Sequence, residues 1–121
     1  MSSIDRRSRG SAAEARAAAL LEQAGLTILE RNFRCRAGEL DIVAHSANLL
    51  VVAEVRLRSR RDYGGAAASI TASKQRRIVR ATRYLLRSRP RFAAMHLRFD
   101  VLLLDGADGR IEWLTSAFDA R

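Results

Sequence analysis

The chain has 121 residues, 48% of them apolar and 29% charged, which is enough for one domain with its own core and too apolar for disorder. Twenty-two basic residues against 13 acidic ones give a net charge of +9 and an attraction for polyanions, of which nucleic acid is the commonest. The one cysteine, Cys35, excludes an internal disulfide framework, and no apolar run approaches the ~18 residues of a membrane span.

These features predict a cytoplasmic protein with no membrane partner, folded as a single domain over residues 1–121 with a flexible segment at 1–9. Glu14, Arg16 and Glu22 interrupt "AEARAAALLEQAG", so the N-terminal region lacks the apolar core of a targeting peptide. Lys74 is the only lysine among the basic residues. Drift towards arginine therefore accounts for part of the charge, and its placement means more than its sum.

In chain order, Ser11 and Glu14 form a capping-box signature, Ala15, Ala18, Ala19, Leu21 and Leu26 follow as an apolar face, and Gly25 suits a C-terminal stop. This predicts a first helix over 12–24. "LTILERNF" reads as a strand ending near Cys35, and "ELDIVAH" and "NLLVVAEVRLR" as two more, joined as a hairpin across "HSAN". After "SRRDYGGAA", the stretch "TASKQRRIVRATRYLLRSR" predicts a second helix stopped near Pro90. "LRFDVLLL", the turn "DGADG" and "RIEWLTS" complete an α/β domain in the order helix, three strands, helix, two strands.

The acids in the central hairpin are unusual for apolar strands. Alternation puts Glu39, Asp41 and Val43 on one face, with Leu40, Ile42 and Ala44 on the other, and groups Val52, Glu54, Arg56 and Arg58. A turn at Ser46 and Ala47 would pair residues whose numbers sum to about 93, making Asp41 and Glu54 diagonal neighbours about 7–8 Å apart. Converging carboxylates repel unless a positive charge lies between them. A hard divalent cation with oxygen ligands meets that need. Ordinary ion pairs with Arg56, Arg58 or a basic helix residue meet it equally well. His45, His96 and Cys35 have no zinc-site spacing.

"GELDIVA", the 13-residue step from Asp41 to Glu54 in "AEVRLRS", "YGGAAASITASKQRRI" and "LRFDVLLL" together resemble the YraN-like family of uncharacterised bacterial proteins. That family is similar to archaeal Holliday-junction resolvases of the PD-(D/E)xK nuclease superfamily. The resemblance spans about Gly10 to Leu104. It implies a restriction-endonuclease-like core, a mixed sheet flanked by helices, and phosphodiester cleavage dependent on Mg²⁺ or Mn²⁺. It also implies Asp41 and Glu54 as metal-binding and catalytic acids, with Glu14 and Glu39 as further acids of the metal set. Capping alone already accounts for Glu14 locally.

Arg56 departs from the family pattern, which has a lysine there. Arginine keeps the charge and can hold a phosphate oxygen, but it stays protonated and cannot act as a base. Lys74, in the first turn of the second helix, is the alternative catalytic cation. For nucleic acid, Arg76, Arg80, Arg83 and Arg87 form a stripe at helical spacing, with Ile78, Ala81 and Leu85 on the face towards the sheet, and Arg58, Arg60 and Arg61 add charge after the acids. Tyr63 and Trp113 are candidates for base stacking, although packing explains each.

The sequence reading is thus a metal-dependent endonuclease acting on structured or branched DNA, with a homodimer implied by resolvase-like relatives. The alternatives are a catalytically inactive DNA-binding module of the same fold, disabled by arginine at position 56, and a protein-interaction domain whose basic charge is incidental.

Overall fold

The computed structural model describes residues 3–58, 70–106 and 109–120, with residues 3–10 as backbone only. Helix α1 (Ser3–Gln23) leads into strands β1 (Thr27–Cys35), β2 (Gly38–Ser46) and β3 (Leu49–Arg58). Helix α2 (Ala72–Ser88), a short 3-10 turn at Pro90–Phe92, and strands β4 (His96–Asp105) and β5 (Ile111–Phe118) follow. The strands lie in the order β1-β2-β3-β4-β5, with β3 and β4 parallel and every other pair antiparallel.

A parallel pair needs a crossover, and α2 lies in it. The two helices cover opposite faces of the sheet. Ile78, Val79, Ala81 and Leu85 of α2 pack with Leu40, Val43, Leu50, Val52, Phe99, Val101 and Leu103. Ala13, Ala17, Ala18 and Leu21 of α1 pack with Ile42, Ala44, Val51, Ala53, Leu102 and Leu104. Burial on both faces explains the near-continuous apolar runs of β3 and β4. This is the mixed α/β arrangement that the element order predicts, and it is consistent with the restriction-endonuclease-like core that the resemblance implies. No helix among the described residues is long and apolar enough to cross a membrane.

Several local expectations give way. Helix α1 starts at Ser3, not residue 12, so Ser11 and Glu14 lie within it and do not form an N-terminal cap. A glycine such as Gly10 weakens a helix by only about 1 kcal/mol and need not end it. The buried face of α1 runs through Ala13, Ala17 and Leu21 at steps of four, leaving Ala15 and Ala19 exposed. The β2–β3 hairpin turns at Ala47 and Asn48, with Ala47 in the left-handed region at φ 49°. Its paired residues therefore sum to 95, as in Ser46 with Leu49 and Ile42 with Ala53, and not to 93.

Alternation also slips along β2. Leu40 and Val43 pack towards α2, whereas Ile42 and Ala44 pack towards α1. The slip falls at Asp41, between the Arg31–Ile42 and Phe33–Leu40 pairs, and Asn32 between the same pairs on β1 adopts φ 54°.

Candidate metal and phosphate site

Asp41 and Glu54 lie just past the Ile42–Ala53 pair that ends the β2–β3 ladder, and not as diagonal neighbours within it. Where the ladder stops, the Asp41 side chain takes over a backbone donor: Val55 N–H donates to Asp41 Oδ2 at 2.9 Å. Glu54 points towards α2 and is 5% exposed. Lys74 Nζ meets its Oε1 at 2.9 Å. Thr71 caps α2 by accepting from the Lys74 backbone N–H at 3.1 Å, which fixes the first turn that carries this lysine.

Asp41, Glu54 and Lys74, with Gly38, Glu39, Arg77 and Ile78, line a cavity of about 290 Å³. Gly38 adopts φ 154°, and a Cβ there would stand 3.6 Å from the Arg77 Cβ, so its bare backbone keeps that wall thin.

The electrostatics are unbalanced. Glu54 Oε2 is sealed from solvent and has no hydrogen-bond partner among the described residues. Burial, then the neighbouring Glu54 charge, and also a hydrogen bond from protonated Asp41 to Glu54, push the Asp41 carboxyl up to about 7. The Val55 N–H and the Lys74 charge pull the other way without cancelling these effects. Two carboxylates so placed need a shared proton or a cation between them.

Glu14 enters from the opposite face. It is half-buried, pairs with Arg31 at 4.0 Å, and its carboxyl is raised first by burial and then by Asp41, with Asn32 opposing through a hydrogen bond. Its helix position thus serves an electrostatic contact with Asp41, where the sequence suggested a cap. Glu39 lines the cavity while pairing with exposed Arg34 at 3.5 Å. Among the described residues no three His, Cys, Asp or Glu side chains gather as a ready-made ion cage. The donor set therefore suits a cation held by two carboxylates and completed by water or substrate, as Mg²⁺ commonly is.

The basic candidates separate. Lys74 is the cation in contact with Glu54, whereas Arg56 lies two residues further along β3. Arg58 is committed to Asp105 at 2.7 Å and Glu112 at 3.2 Å, so the structure places it in an ion-pair cluster between β3, β4 and β5. Arg76, Arg80, Arg83 and Arg87 are exposed on α2. Arg60, Arg61 and Tyr63 lie outside the described residues. Trp113 is half-buried and donates from Nε1 to Asp100 at 2.9 Å, consistent with packing. Cys35 is free and half-buried against the core on the α2 side.

Two features escaped the sequence reading. Arg77, three residues after Lys74, faces the cavity, and that spacing was the available signal. Asp100 is fully buried and accepts from Arg98, Trp113 and the Ser116 N–H. An acid inside "RFDVLLL" is the same anomaly that marks Asp41 and Glu54.

Residues 13–104 match the family described as "Uncharacterised protein family UPF0102". A UPF0102 protein of Dechloromonas aromatica (strain RCB) is 50% identical over 112 residues, covering 93% of this chain and 89% of the relative. One from Nitrosomonas europaea is 46% identical over 112 residues, covering 92% and 93%. Another, from Xanthomonas axonopodis pv. citri, is 44% identical over 115 residues, covering 95% and 94%. With three-quarters of its length matched by the family and close relatives along nearly all of it, the chain belongs to the UPF0102, YraN-like family.

Proposed function

We propose that this protein is a metal-dependent phosphodiesterase acting on DNA. The observation that carries the reading is the open cavity that Asp41 and Glu54 both line, with Glu54 Oε2 buried and without a hydrogen-bond donor among the described residues. That orphaned oxygen fits a hard cation held by Asp41 and Glu54, with Glu39 on the same wall. Bound there, Mg²⁺ or Mn²⁺ would polarise a phosphate and acidify a water.

The protein's own groups have distinct parts. Val55 N–H fixes one oxygen of Asp41. Lys74, anchored on Glu54 and still 43% exposed at its side chain, presents positive charge to phosphate oxygens in the cavity. Arg77 adds a second cation on the same wall. Lys74 on the helix thus supplies the charge that the family pattern places on β3, where Arg56 cannot act as a base.

Calorimetric titration with Mn²⁺ is expected to show binding to wild type and none to Asp41→Ala, with cleavage of branched DNA lost in the same variant. Undiminished Mn²⁺ binding or cleavage by Asp41→Ala would refute the site. Arginine at position 56 favours a second reading, a DNA-binding module that takes up metal without cutting. It is distinguished by Mn²⁺ binding with no cleavage in wild type, and by activity appearing in Arg56→Lys.

A further inference from the structure

Helix α2 carries six cations and no carboxylate. Elsewhere on the described surface Arg31, Arg34, Arg58, Arg89 and Arg98 form ion pairs. Arg77 and Arg80 form none among the described residues, and neither do Arg76 and Arg83 on the same helix, so their charge is available to an outside anion. Like charges three residues apart repel, and nothing on the helix offsets that repulsion.

The placement of these residues is directional. Lys74 and Arg77 line the acid cavity, and Arg80, at the next step of three, is exposed outside it. Tyr84, four residues beyond Arg80, is 39% exposed and is one of two large apolar side chains in the described surface that are. Arg87 lies over the Tyr84 ring at 5.6 Å and holds it from one side. At about 100° per residue, Tyr84 lies about 20° and Arg80 about 60° round α2 from Arg77, with Arg76 about 100° and Arg83 about 120° round on the same side. Cations leading to an exposed ring match the way proteins bind single strands, in which phosphates follow basic groups and bases stack on aromatic faces. A duplex offers no unstacked base for Tyr84.

We infer that Arg77, Arg80 and Tyr84 form a track for an unpaired nucleic-acid strand leading into the Asp41–Glu54 cavity, an inference that rests on the phosphodiesterase reading of that cavity. Phosphates of the strand lie on Arg77 and Arg80, and a base stacks on Tyr84. The substrate class is therefore DNA with a single-stranded segment beside the bond that is cut.

Fluorescence anisotropy of the full chain with labelled oligothymidylate, measured across salt concentrations, tests this. Arg77→Gln and Arg76→Gln remove equal charge, and glutamine keeps the helix. Arg77→Gln should weaken binding about tenfold and lower the salt slope by about one, with Arg76→Gln and Arg83→Gln costing less than about threefold. Tyr84→Leu should weaken binding about tenfold and Tyr84→Phe should preserve it. Equal losses for Arg76→Gln and Arg77→Gln, a silent Tyr84→Leu, or tighter binding to duplex or to phosphatidylglycerol vesicles than to oligothymidylate would overturn the track. Asp41→Asn should leave strand binding intact, so failure of the cavity as a cleavage site and failure of the track give different results.

Discussion

Asp100 on β4 and the Asp41–Glu54 pair on β2 and β3 are acids set in apolar strands of one sheet, but their surroundings differ. Asp100 is fully buried, and both its oxygens are satisfied, by Arg98 at 2.8 Å, Trp113 at 2.9 Å and the Ser116 N–H at 3.0 Å. The pair has one backbone donor, one lysine and the proton that its two carboxyl groups can share, and no other donor among the described residues reaches Glu54 Oε2. A buried polar network with every atom paired rigidifies a fold, whereas a partly paired one is costly unless something else fills it. The difference separates an acid that pins β5 to β4 from a pair of acids whose charge is only partly met.

The largest effect is expected from Asp100→Ala, which leaves the Arg98 and Trp113 donors without an acceptor and should cost about 3–5 kcal/mol in urea denaturation. A loss under about 1 kcal/mol would break the contrast. Asp41→Asn should have the opposite sign. The folded-state carboxyl of Asp41 titrates at about 7, above its ordinary 3.8, so its contribution to stability is full below pH 4 and is lost as pH rises to 7. Thermal melts at pH 4, 6 and 8 should therefore show wild type falling relative to Asp41→Asn. Mg²⁺ at pH 8 should raise the melting temperature of wild type alone. A variant less stable than wild type at pH 8 would show that the pair is not strained.

Lys74→Met strips the Glu54 carboxylate of its cation and should cost about 1–3 kcal/mol at neutral pH, again measured with urea. Arg34→Ala, which breaks an exposed pair with Glu39, should cost less than about 1 kcal/mol. A larger loss there would extend the strained cluster to Glu39.

Periodicity and punctuation, both local, determined the five strands, the two helices and the limits of α2. Thr71 caps that helix and Pro90 follows its end, and Ile78, Ala81 and Leu85 face the sheet as their spacing requires. Acids in apolar strands likewise mark Asp41 and Glu54 in the sequence. The tertiary structure alone decided how these pieces meet. The hairpin register depended on a positive φ at Ala47, a non-glycine residue that does not announce a turn. The slip at Asp41 opposite Asn32 required two strands to deform together. Glu14 and Arg58 found their partners on other elements, and Arg77 reached the cavity because α2 crosses the sheet beside Gly38. A repeating pattern reports which side of an element is buried, but contacts between distant segments depend on packing, which no short stretch of sequence encodes.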